Sequence, residues 1–256
     1  HQIRAYGLAD GKQINFLRGE LWADHNAMVD GPVKKGPDGK PLPAEKIKGT
    51  VCTGMAWLDG KLYVANAPAN EICEYDAKQG TILRRLPVPA VTWITADKAG
   101  KSLVIISNGA VQKLNPADGK AADFAKDKLD QPQSVALGPD GSVYVSNLGK
   151  LQNVSVFDKD GKYVRSIGKA GGRSMANPPP LEKQGHHSPS RAVKWDPDTM
   201  MNPRGMAFDA KGRLWVMEHD FSPKRVSIWD SATGKLLDEK FGPCYVSTPA
   251  CMDPND

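Results

Sequence analysis

Apolar and polar residues alternate with a period of two through most of the chain, in short runs broken by Gly-, Asp- and Lys-containing turns. The segments "EICEYD" (71–76), "NVSVFD" (153–158) and "RVSIWD" (225–230) alternate strictly. Each is predicted to be a strand with one buried face. These runs do not stand alone. Gly54-Met55-Ala56-Trp57, Asp59-Gly60 and Leu62-Tyr63-Val64 repeat as Ser134-Val135-Ala136-Leu137, Asp140-Gly141 and Val143-Tyr144-Val145. They repeat again as Gly205-Met206-Ala207-Phe208, Lys211-Gly212 and Leu214-Trp215-Val216. An apolar run, a glycine that supplies positive φ and a second apolar run predict a hairpin.

Each hairpin is followed by a polar loop, one of the alternating segments, a turn ("AKQG", "KDGK" or "SATGK") and a more polar strand ("TILRRL", "YVRSIG" or "LLDEKFG"). A weaker copy fits 91–124. The predicted unit is four antiparallel strands in roughly 40 residues, placed at 51–89, 90–131, 132–168 and 203–243. A four-stranded sheet with two apolar faces cannot bury both alone. Stacking such sheets as blades around an axis covers them, so the pattern predicts an all-β β-propeller. "QIRAYG" and "KQINFLRGEL" read as the outer strands of a partial terminal blade. The expectation is four clear blades plus partial ones, within a five- or six-bladed ring. The whole of 1–256 reads as one domain carrying insertions at 22–50 and 169–202.

The stretches "QPQSVALGPDGSVYVSN…NVSVFDKDGKYVRSIG" and "NPRGMAFDAKGRLWVME…KRVSIWDSATGKLLDEKFG" resemble NHL-repeat propellers. "PKRVSIWD…FGP" followed by "DP-D" also looks like the propeller regions of large secreted bacterial multi-domain proteins. The resemblance implies a fold, and because this fold hosts unrelated functions it implies no single activity.

Composition narrows the classes. Gly and Pro are abundant, at 25 and 20 residues, as a turn-rich β protein requires. No apolar run is long enough to span a membrane as a helix. The net charge of +5 is spread out, and the densest lysine cluster, 33–48, has no interleaved aromatic residues, which argues against nucleic acid. Four cysteines fall into two local pairs, Cys52 with Cys73 and Cys244 with Cys251. The even count favours two disulfides, Cys244–Cys251 above all, over four buried thiols, and with them a secreted or periplasmic location.

Strand alternation predicts where function sits. In each blade the loop from second to third strand emerges at the same end as the connection to the next blade. The long insertions are all such connections, and long loops without secondary structure of their own are commonly functional. Candidates for this face are Arg204, Glu218, His219, Asp220, His186, His187, Trp22 and Trp195. Asn66, Asn108 and Asn147 read as loop-tying residues, with Glu218-His219-Asp220 in their place in the last unit. Imidazole and carboxylate oxygens there, with His25, could hold a divalent metal, as some propeller lyases and lactonases do. The plainer reading, in which Asp220 caps its loop and His219 is merely solvated, is preferred. Trp57, Trp215 and Trp229 are expected in the core. Two functions follow: a rigid scaffold that binds a protein, peptide or glycan through this face, or a metal-assisted lyase or hydrolase built around His219 and Arg204. Further domains or blades of a parent chain are expected partners.

Overall fold

The computed structural model describes residues 5–14, 52–173, 196–219 and 224–242. Strand β1 (Ala5–Tyr6) pairs with β2 (Gln13–Ile14). Four sheets of four strands follow. The first is β3 (Cys52–Leu58), β4 (Lys61–Asn66), β5 (Glu71–Asp76) and β6 (Ile82–Pro87). The second is β7 (Val91–Asp97), β8 (Ser102–Ser107), β9 (Ala110–Leu114) and β10 (Ala121–Ala125). The third is β11 (Pro132–Leu137), β12 (Val143–Asn147), β13 (Val154–Phe157) and β14 (Tyr163–Ile167). The fourth is β15 (Pro203–Phe208), β16 (Arg213–Glu218), β17 (Lys224–Asp230) and β18 (Leu236–Gly242). Spatial order equals chain order in every sheet, as the repeat predicted. Among the described residues there is no α-helix, only a 3-10 turn at Ala67–Ala69.

The chain divides into two compact units: His1–Asn108 with Lys113–Ala121, and Gly109–Gln112 with Ala122–Asp256. In the first, Ala56, Leu58, Tyr63 and Ala65 pack against Val91, Ile94, Leu103 and Ile105. In the second, Tyr144, Val154, Val156 and Ile167 pack with Leu214, Val216 and Trp229. Tyr144 meets Phe208 edge-on, with ring centroids 4.9 Å apart. Each large side chain so buried contributes roughly 1.5–3 kcal/mol, which is why no sheet is stable with its faces open.

Parity along the strand decides the tryptophans. Trp229 is buried, as expected. Trp57 is not: Ala56 and Leu58 take the inward positions of β3, so Met55 and Trp57 stand 49% and 53% exposed. A one-residue shift in phase moves a side chain to the other face, and the apolar string "GMAWL" does not reveal its phase. Trp215 is half-buried and donates its indole N–H to Asp209 at 2.9 Å.

The cysteine expectation is corrected where it can be read. Cys52 and Cys73 are both free thiols. They lie on β3 and β5, with β4 between them. Two strand spacings come to about 9.5 Å, beyond the reach of a disulfide. Burial pushes the Cys73 thiol up to about 12, which keeps it protonated; it packs with Val64 and Tyr75 and donates to Glu71 at 3.5 Å. Cys244 and Cys251 lie outside the described residues.

One irregularity recurs. The first strand of each sheet changes register near its start, between Cys52 and Gly54, Val91 and Trp93, Pro132 and Ser134, and Pro203 and Met206. The extra residues are Thr53, Thr92 and Gln133; in the fourth sheet Arg204 and Gly205 together stand opposite Met217. A β-bulge re-aims the side chain it inserts.

Candidate functional site

The bulge lies at the end of the sheet where the second strand runs into its loop. In the first, third and fourth sheets, three polar residues meet there: Asn66, Glu71 and Cys73; Asn147, Asn153 and Ser155; Glu218, Arg225 and Ser227. Asn66 donates to Glu71 at 3.1 Å, Asn147 donates to the Ser155 hydroxyl at 3.0 Å, and Ser227 donates to Glu218 at 2.9 Å. Asn153 and Ser155 are both buried, with Asn153 only 2% exposed.

In three sheets the last residue of the second strand holds the backbone two positions before the first strand begins. The Ser107 hydroxyl donates to the Pro89 carbonyl at 2.6 Å. Asn147 accepts the Asp130 amide at 2.9 Å, and Glu218 accepts the Met201 amide at 2.9 Å. The chemistry fits each partner. Proline has no N–H, so at Pro89 only a donor can make the tie. The loop-tying residue of the second sheet is therefore Ser107, not Asn108. Asn108 and Gly109 instead form the tight turn between β8 and β9, both with positive φ (51° and 73°).

The same frame reassigns the last unit. Glu218, not His219, takes the place of Asn66 and Asn147. Its side chain is wholly buried and its carboxylate is committed to the protein itself. It accepts from Arg173, from Arg225 at 3.0 Å, from the Met201 amide and from Ser227. Burial raises its carboxyl above the usual range, and Arg173 and Arg225 oppose that only in part. Glu218 is thus not a surface ligand. His219, half-buried, is fixed through its backbone: its amide donates to the Asn202 carbonyl at 3.1 Å, and Asn202 donates to its carbonyl at 3.2 Å.

Arg225, fully buried, extends this network. It donates to the Thr199 carbonyl at 2.9 Å, the Pro197 carbonyl at 2.6 Å and Glu239 at 2.8 Å. Lys169 and Thr199 form a parallel bridge, the Arg173 amide donates to the Met200 carbonyl at 3.0 Å, and Lys169 pairs with Asp196 at 2.5 Å. The described residues on both sides of 174–195 are therefore joined into a neck seated on buried charge. Gly172 has φ +67°, and a Cβ there would meet Gln152 at 2.6 Å, so the neck closes only with glycine. Gln152 ties in the neighbouring loop by accepting the Asn202 amide at 2.6 Å.

Arg204 sits on the bulge of β15. Its carbonyl accepts from two buried serines of the adjacent sheet, Ser134 and Ser146, the latter at 2.9 Å. Its side chain is half-buried, and its Nε is buried with no hydrogen-bond partner.

Sequence reasoning picked out Arg204, Glu218 and His219 but missed Arg173, Arg225 and the serine pair. Arg225 had a signal. It occupies the position of Asn153, a buried phase of an alternating strand, where a charge requires a partner. Asp220, His25, His186, His187, Trp22 and Trp195 lie outside the described residues. Among the described residues, no three His, Cys, Asp or Glu side chains converge on one point.

No protein-family profile matches the chain, and no curated protein matches it. Solved structures do. Hydrazine synthase of Kuenenia stuttgartiensis aligns over 79% of this chain and 53% of its own, at 15% identity and a TM-score of 0.56. Virginiamycin B lyase from Staphylococcus aureus aligns over 85% of this chain and 64% of its own, at 18% identity and a TM-score of 0.51. A chain of a nidogen/laminin complex aligns over 72% and 62%, at 14% identity and a TM-score of 0.51. The chain thus spans between 53% and 64% of the length of these structures. The likeness shows the fold, a β-propeller.

Proposed function

We propose that the protein is a recognition scaffold of the NHL-repeat type that binds a protein, peptide or glycan through the loop end of its sheets, in an extracytoplasmic setting. The observation that carries this reading is the neck. Glu218 and Arg225, both wholly buried, fasten the flanks of a long insertion to the sheet beneath. Burying a carboxylate with two guanidiniums is costly, and hydrophobic residues of the same volume would often stabilise as well. What the charged set does that an apolar one would not is hold three backbone carbonyl and amide groups of the connection in one place. Preorganising a loop in this way lowers the ordering cost of binding.

The fold alone leaves the choice of function open, since the propellers it resembles include a lyase and a chain solved in a laminin complex. A second reading, a metal-assisted lyase or hydrolase, draws on the half-exposed Arg204 and on His219 at the same end of the fourth sheet. Replacing 174–195 with a Gly-Ser linker separates the readings. The scaffold predicts that hits from peptide and glycan arrays are lost while the urea midpoint stays within error. Hits that survive the replacement and protect the opposite turns (139–141 and 210–212) in hydrogen exchange would overturn it. A stoichiometric divalent metal that is lost in His219→Ala would favour the enzyme.

A further inference from the structure

We infer that Arg204 is an oxyanion-binding residue, and that the ligand of this face presents a carboxylate or phosphate oxygen to it. The inference rests on the recognition reading above and adds the ligand's chemistry.

The residue is held in place from behind. The bulge removes Arg204 from the regular ladder of β15. The hydroxyls of Ser134 and Ser146, 1% and 0% exposed, both converge on its carbonyl. Hydroxyls buried that deeply in a sheet require partners, and these two fix the backbone from which the Arg204 side chain departs. The corresponding residues of the first sheet are Gly54 and Ala65, and those of the second are Trp93 and Ile106. The clamp is therefore specific to the arginine-bearing bulge and is not a general device of the repeat.

The side chain itself is unfinished. A guanidinium has five N–H donors and no acceptor. Among the described residues, Arg204 has no ion pair, and its Nε is buried without a partner. Arg165 and Arg173 also leave buried nitrogens unpartnered, but their guanidiniums bond elsewhere, to the Ser231 carbonyl and to Glu218. Arg213 pairs with Asp209 at 2.6 Å, and Arg225 with Glu218 and Glu239. Among the described arginines, Arg204 is the one whose side chain makes no hydrogen bond. An unmet buried donor is costly, and native proteins leave few of them. The two terminal nitrogens of Arg204, which make no hydrogen bond among the described residues and are not among the buried unpartnered atoms, present parallel donors whose spacing matches two oxygens of a carboxylate or phosphate. Gln133, half-buried, occupies the equivalent bulge of β11, the first strand packed beside β15. Its amide nitrogen donates to the Pro132 carbonyl at 3.3 Å, and the second N–H of that group is a neutral donor of the kind that suits an oxyanion.

The full chain is titrated with inorganic phosphate and, separately, with acetate, while arginine Nε–Hε resonances are followed by NMR. The Arg204 signal is the one absent from Arg204→Lys. Lysine keeps the charge and loses the paired donors. The expected result is saturable movement of that signal in the wild type, with the Kd for the same anion, read by calorimetry in both proteins, raised roughly tenfold or more in Arg204→Lys. It should be unchanged in Lys211→Gln, on the exposed turn at the other end of the sheet. A larger response to phosphate identifies a phosphorylated ligand, and a larger response to acetate a carboxylated one. No movement of the Arg204 signal, or equal loss in Lys211→Gln, overturns the inference. If array ligands still bind the face while the Arg204 signal stays fixed, the scaffold reading stands and only the oxyanion assignment fails. If neither array ligands nor anions bind, both fall.

Discussion

The third and fourth sheets follow one plan and differ at one end. Asn147, Asn153 and Ser155 in the third are matched by Glu218, Arg225 and Ser227 in the fourth. Both sets are buried, and both hold the chain that arrives from the preceding sheet. The neutral set reaches little. Asn147 accepts the Asp130 amide, and Ser155 donates to the Lys128 carbonyl at 2.6 Å. The charged set reaches Pro197, Thr199 and Met201 and takes in Arg173 from the other flank of the insertion. A guanidinium is longer and has more donors than a carboxamide, so it can organise a wider connection. It also makes the site brittle, because neither Glu218 nor Arg225 can be removed without leaving a buried charge short of a partner.

That brittleness gives the largest expected effect. Glu218→Ala leaves Arg173 and Arg225 buried without their shared carboxylate and should destabilise the protein by about 3–5 kcal/mol in urea unfolding. Asn147→Ala removes neutral hydrogen bonds only and should cost about 1–3 kcal/mol. Equal losses would mean that the charged set is no more committed than the neutral one, and the contrast would collapse. Hydrogen exchange sharpens it: Glu218→Ala should release the amides of Arg173 and Met201, while Asn147→Ala should release that of Asp130.

Much of this plan was legible in the sequence. The four units, their strand order and the end at which the third sheet connects to the fourth follow from alternation and turn residues, because each strand must present one apolar face. What the alternation could not reveal was phase. Trp57 and the apolar residues beside it form an unbroken string, so which of them face inward is decided by Ile94 across the sheet interface. The site was half legible. "VAN", "VSN" and "VME" align on the last residue, but a nearby histidine drew attention away from the glutamate. Arg173 lies more than 40 residues from Glu218 in sequence, and no local pattern announces that pair. The free Arg204 donor is likewise a property of packing, invisible in the tripeptide "PRG".

The opposite ends of the same two sheets give a smaller contrast, read by pH. Asp140 in the third accepts the hydroxyl and the amide of Ser142, which hold its carboxyl below the usual range. Asp209 in the fourth accepts the Lys211 and Arg213 amides, the Arg213 side chain and the Trp215 indole. Burial opposes them, yet these donors bring Asp209 down to about 2. Because the folded carboxyl titrates below the unfolded one, its contribution is complete above pH of about 4 and is lost as the pH falls towards about 2. Solvent screening reduces it to on the order of 1 kcal/mol. Asp209→Asn should flatten stability against pH across that window. An unchanged acid limb would show that the turn carboxylate does not contribute.

The smallest effect belongs where the two sheets do not differ. Val164 on β14 and Leu237 on β18 occupy the same register position on the outermost strand and are 50% and 48% exposed. Threonine has the β-branched shape that an extended strand favours, kept at Val164 and gained at Leu237, and at half-exposed positions it gives up little buried area. Val164→Thr and Leu237→Thr should therefore each shift stability by less than about 0.5 kcal/mol, and by the same amount within error. A substantial loss in Leu237→Thr alone would mean that the fourth sheet is weaker along its whole width. The large response of Glu218→Ala would then report a fragile blade, and the buried charge at its loop end would no longer be the cause.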